Sequence, residues 1–215
     1  MTVPAVQWAH ELFPLCVPPR HPHLPELRRA LDLLRAAQVP VPAALALAPI
    51  GVRTEPGDRA LGLFDPDRLW AGARVMDHAP YPAVTVLHEI GHALDFLVLG
   101  EGQEYASIMG GHTGPWRAWN TAVKATPTII TLRAAQDEGG ELSAFAAYLL
   151  DLPELFARAF AQWVIYTGGT PDERAALDDR GLKFNGVLVQ QWPESEFGTL
   201  VPHLQALLGL ERRTP

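Results

Sequence analysis

The stretch AVTVLHEIGHALDFLVL, residues 83–99, decides how the chain is read. Pro80 and Pro82 precede it and Gly100 follows, so both ends are marked for a helix. Apolar residues occupy nearly every side of that helix, which predicts an element buried in the core rather than one lying on a surface. Four ionisable side chains interrupt it: His88, Glu89, His92 and Asp95. An unpaired polar group in a core costs kilocalories, so such a helix needs partners for all four. Residues four apart share a helix face, so the imidazoles of His88 and His92 converge, and Glu89 stands beside the first of them.

Working outward from this helix, residues 43–78 change character, to short apolar runs cut by turn signals. ALALAPIGV, ALGLF and LWAGARVM are separated by TEPGDR and DPDR, which predicts a small, mostly antiparallel or mixed sheet with a turn near Asp65–Arg68. Before it, PELRRALDLLRAAQ places Leu27, Ala30, Leu31 and Leu34 at helical spacing. After it, 102–121 reads as a loop with a short helix in WRAWNTAVKA. Helices are expected over Ser143–Leu150, Asp151–Tyr166 and Glu194–Leu208, with a turn-rich excursion from Thr167 to Trp192. The order predicts an α+β fold in one domain spanning 1–215: N-terminal helices in 1–40, a sheet region in 43–78, the 83–99 helix, the 151–166 helix and a C-terminal extension over 167–215.

The chain has 215 residues, 48% of them apolar, enough for one sizeable core. Lys and Arg total 17 against 24 Asp and Glu, a formal charge of -7. That balance argues against a nucleic-acid or anionic-membrane partner, because it offers no cationic surface for phosphates. Cys16 is the only cysteine, which excludes an internal disulfide and a thiolate metal cage. The start lacks the basic and apolar regions of a signal peptide, and the apolar stretches 39–50 and 83–99 are too interrupted to span a bilayer. The cytoplasm is the default expectation, with export lacking a cleavable signal left open.

Any metal must therefore be held by histidines and carboxylates. His88 and His92, one turn apart on a helix, offer the two nitrogens that zinc takes from such a pair. Glu89 is placed as general base toward a water and then as proton donor to a leaving amine. A catalytic zinc needs a third protein ligand. A histidine six residues after the second is not available, since that position is Val98. The best candidate is Glu154, a carboxylate opening the otherwise apolar 151–166 helix, with Glu141, Asp151 and His112 as alternatives. A competing reading makes Asp151 and Glu154 a capping box with no metal involved.

HEIGHALDF at 88–96 followed by PELFARAFAQW at 153–163 resembles the gluzincin metallopeptidases, in particular the branch containing the catalytic domain of anthrax lethal factor and its bacterial and phage-associated relatives. The resemblance covers roughly residues 45 to 165. It implies a zincin-like fold, zinc held by His88, His92 and Glu154, Glu89 as catalytic acid/base, and a peptide or protein substrate. It also implies that Gly62-Leu63-Phe64-Asp65-Pro66 belongs to the sheet edge before the active-site helix. Arg158 departs from the pattern, standing where many relatives have a second Glu. The Tyr that donates to the oxyanion in relatives is matched only by Tyr148, six residues before Glu154, with Phe145 in another plausible slot.

The leading expectation is thus a zinc-dependent endopeptidase, and the alternative a zincin-fold module that keeps metal without cleaving. Asp95 is expected either to orient a ligand histidine or to bond elsewhere in the core, the second reading being slightly favoured. Trp116 and Trp119 are read as core or loop-anchoring aromatics rather than a substrate floor.

Overall fold

A computed structural model describes residues 15–39, 50–53, 61–64, 66, 73–76, 79, 81–110, 114–181 and 190–210. The expected ionisable helix is its central element. Helix α2, Pro82–Ala93, begins with proline in its first turn and buries nearly every residue, including Glu89 and His92. It continues as a π-helical segment, Leu94–Leu99, ending at Gly100. The span Pro82–Leu99 is the one described helix long and apolar enough to cross a membrane, and two-thirds of it is buried inside the protein.

One side of α2 meets a four-stranded sheet made of β1 (Leu15–Cys16), β2 (Ile50–Arg53), β3 (Gly62–Phe64) and β4 (Ala73–Met76). The strand order is β1-β2-β4-β3. The sheet is mixed rather than mostly antiparallel: β1 runs parallel to β2 and β2 to β4, with Val52 opposite Val75, while β3 alone runs against β4, with Gly62 opposite Val75. The physical reason lies in β4, whose Val75 and Met76 have no exposed surface. A strand buried on both faces takes an interior place with a partner on each edge, so β4 separates β2 from β3 although those two follow one another in sequence. Strand β1 comes from a segment for which no strand was expected. Most of the Asp65–Arg68 turn lies outside the described residues.

Helix α1, Leu24–Ala36, packs on α2 through the leucine stripe expected of it: Leu27, Ala30, Leu31 and Leu34 are all buried. Seven helices follow the π-helical segment among the described residues: α3 (Ala106–Met109), α4 (Gly114–Lys124), α5 (Pro127–Glu138), α6 (Glu141–Leu149), α7 (Leu152–Gly168), α8 (Pro171–Gly181) and α9 (Glu194–Leu207). Of these, α7 packs directly on α2 and is buried without interruption from Pro153 to Ile165. The two helices approach closely because Gly91 faces Ala157: a Cβ on Gly91 would lie 2.8 Å from Ala157 Cα. The first turn of α7 is thereby brought beside the last turns of α2. The fold is α+β, as expected, with a larger helical share than the sequence suggested, since α5 falls where no element was expected and α8 within the expected turn-rich excursion.

Candidate metal centre

The close crossing of α2 and α7 assembles three side chains. His88 and His92 turn their Nε2 atoms toward each other at 3.1 Å, with ring planes at 87°. Glu154 enters from α7, its Oε2 3.2 Å from His88 Nε2 and its Oε1 3.1 Å from His92 Nε2. One donor atom from each residue lies within 4.8 Å of the others. Ligands about 2.0–2.2 Å from a tetrahedral ion stand about 3.3–3.6 Å apart, so a zinc ion fits this donor set with adjustments of a few tenths of an ångström. Glu154 Oε2 and His92 Nδ1 are buried without a hydrogen-bond partner. The Oε2 atom is a spare acceptor for a cation, and Nδ1 is the ring atom that a metal-ligating histidine usually gives to an outer partner.

The capping box does not form. Asp151 caps α7 by accepting from Leu152 N at 3.1 Å, while its own N–H donates to Tyr148 O. Glu154 is thus free to face the histidines. Asp151 and Glu141 are exposed and lie outside the group, and His112 lies outside the described residues.

The charges in this cluster shape one another. Burial alone would raise the Glu154 carboxyl, but the adjoining His88 and His92 outweigh it and hold it far below the usual carboxylate range. Burial likewise opposes protonation of His92, yet its contact with Glu154 wins and raises it. Glu89, 5% exposed, moves the other way: burial pushes it up despite the nearby histidines and a hydrogen bond from the Phe64 N–H. A carboxyl so raised is a better proton acceptor than an ordinary one.

The sheet edge sets Glu89 in place. Phe64 belongs to edge strand β3, and its N–H goes to Glu89. Gly62, two residues earlier, makes the room: a Cβ there would collide with the Glu89 carboxylate and lie 2.7 Å from Thr85 Cγ2. The sequence motif identifies Glu89 but carries no sign of this cradle, because the contact joins segments about 25 residues apart.

Tyr148, at the end of α6, is half exposed and stands near the Glu154 carboxylate. Partial burial and that neighbouring charge push its phenol well above the ordinary range. Phe145 stacks on it, one turn earlier. Tyr105, which the sequence did not single out, meets the His92 ring edge-on at 6.1 Å and Phe96 at 5.3 Å. Burial, aided by the charges of Asp95, Glu89 and Glu154, pushes its phenol up to about 12. No spacing rule would have found it, since it lies in a loop ahead of α3.

Asp95 serves the core. It accepts from Ser107 N at 2.9 Å and Ser107 Oγ at 2.5 Å, tying the π-helical segment to α3. Burial pushes its carboxyl up to about 6 even so. Trp119 is a core residue at 1% exposure, and Trp116 packs on Phe156. Comparison with protein-family models, curated proteins and solved structures finds no match for this chain.

Proposed function

We propose that the chain is a zinc-dependent endopeptidase of the gluzincin type. The observation that carries the reading is the convergence of His88, His92 and Glu154 on one point, with a buried Glu89 of raised proton affinity beside them. Bound there, zinc would supply Lewis acidity toward a peptide carbonyl and would make a water acidic enough to attack it. His88, His92 and Glu154 would hold it, and Glu89 would take the proton of the water and return it to the leaving amine. Gly62 and Phe64 fix where that carboxylate stands. Among the described residues β3 is an edge strand, and its outer side would offer main-chain hydrogen bonds to an extended substrate strand lying over the metal. Tyr148 would donate to oxygen charge as it develops. The likeness of HEIGHALDF and PELFARAFAQW to gluzincin motifs supports the same assignment.

Glu89→Gln tests the reading. The variant should bind zinc as the wild type does and lose roughly a hundredfold or more in peptide cleavage, the range of a general acid/base. Equal behaviour of the two proteins on a broad peptide library would leave a metal-binding module without peptidase activity.

A further inference from the structure

Glu154, Arg158 and Gln162 lie at successive four-residue steps on α7 and form one polar stripe through its buried length. Arg158 donates to three main-chain carbonyls from three segments: Leu149 O at 2.5 Å, Gln190 O at 2.5 Å and Glu154 O at 3.4 Å. Its guanidinium lies 5.1 Å from the centroid of Trp192. Gln162 then pairs both ways with the Trp192 main chain, at 2.6 and 3.2 Å, and Trp192 Nε1 donates to Thr126 Oγ1 at 3.2 Å.

A buried guanidinium is a poor choice for stability alone, because desolvating it costs several kilocalories per mole before its hydrogen bonds offset that, and apolar replacements of buried ions are often neutral. What it gives here is geometry. Leu149 O is one of the last carbonyls of α6, which lack intrahelical partners, and a cation at that end also suits the helix dipole. Tyr148 is the residue immediately before it. Only Leu150 and Asp151 separate α6 from α7, and the guanidinium spans that corner from Leu149 O to Glu154 O.

We propose that Arg158 is a positioning residue that clamps the end of α6 to the first turn of α7, and so keeps Tyr148 in register beside Glu154. The catalytic consequence rests on the peptidase reading above, and the clamp itself does not. Through Gln190 and Trp192 the clamp also makes the segment preceding α9 part of the support of the site.

The test compares wild type with Arg158→Lys, Arg158→Met, Tyr148→Phe and the double variant Arg158→Met with Tyr148→Phe. Amide hydrogen exchange of the metal-free proteins, zinc affinity by chelator competition, and kcat and KM on a cleaved peptide are measured. In Arg158→Met, exchange over Leu149–Leu152 should accelerate about tenfold or more while the middle of α7 stays protected. The zinc Kd should stay within about threefold of wild type. The loss in kcat should match that of Tyr148→Phe, with KM little changed, and the double variant should lose no more than either single one. Arg158→Lys, retaining the cation but not the three-way fork, should fall between, and it carries the comparison if Arg158→Met does not fold.

Unchanged exchange at the corner, losses that multiply in the double variant, or a rise in zinc Kd as large as that of Glu154→Gln would each overturn the proposal. If the wild type neither holds zinc nor cleaves peptides, the peptidase reading falls, and the exchange comparison still decides the clamp.

Discussion

At the start of α7, Asp151 and Glu154 stand three residues apart, a spacing that serves a capping box as well as a metal site. The sequence contains both readings, and packing separates them. Asp151 caps the helix alone, and the Gly91–Ala157 contact carries Glu154 to within 3.2 Å of two imidazoles. His88, Glu89 and His92 were legible because a helix repeats locally. The cradle of Gly62 and Phe64 around Glu89 and the Tyr105 ring against His92 were not, since both are made by contacts between segments. Two outcomes follow at this scale. Glu154→Ala should weaken zinc binding by more than the roughly 10–100-fold that loss of an outer partner costs, measured by chelator competition. Zinc affinity of the wild type should also rise with pH. Glu154 raises the proton affinity of His92, so protons compete with the metal until the pH passes that raised value. Calorimetry in buffers of different ionisation enthalpy should show proton release on binding, and an absence of release would contradict the raised proton affinity of His92.

Elements were legible where the periodicity of a single face dominated. Helix α1 shows its leucine stripe openly, and α7 its long apolar run. Helix α5 was hidden by Pro127, which reads as a break but occupies the first turn behind the Thr126 cap. Helix α8 was hidden by its polarity, since PDERAALDDRG has no apolar stripe and instead gains tertiary contacts. Among these, Arg29 Nε and Nη2 each donate to a Glu173 oxygen at 2.6 Å and join α1 to α8. Arg29, with help from Thr170, holds the Glu173 carboxyl down to about 2. A lowered carboxyl adds stability above its unfolded value and loses it as pH falls through the folded one. The pair is about one-third exposed, so its worth is discounted to about 1 kcal/mol or less. Glu173→Gln should therefore lower the melting temperature by about 1–4 °C at pH 7, with the difference shrinking between about pH 4.5 and 2. The α2–α7 crossing is more demanding. Gly91→Ala places a methyl 2.8 Å from the Ala157 backbone, and overpacking of this kind costs about 1–3 kcal/mol. Since the helices must separate to admit it, the variant should lose zinc affinity along with thermal stability. A destabilised protein with unaltered zinc Kd would show that the crossing does not set the site.

On the scale of the whole molecule, the candidate ligand set spans the two helices that meet at the centre of the fold: α2, packed on the sheet and on α1, and α7, which also carries α8 and α9. An ion bound there closes a link between the sheet half and the helical half, and the unfolded chain has no such site. A ligand that binds only the folded state stabilises it by about 2.7 kcal/mol at a hundred times its Kd. For a chain of this length that is an increase of roughly 5–11 °C in melting temperature. Calorimetry with zinc and with excess chelator should show this difference for the wild type. Glu89→Gln should keep it, because Glu89 lies beside the ligand set rather than within it, and Glu154→Ala should lose most of it. The three proteins thereby separate holding the metal from using it: a zinc-dependent gain that survives in Glu89→Gln without cleavage assigns Glu89 to chemistry. A gain that vanishes in Glu89→Gln would instead make that carboxylate part of what holds the ion.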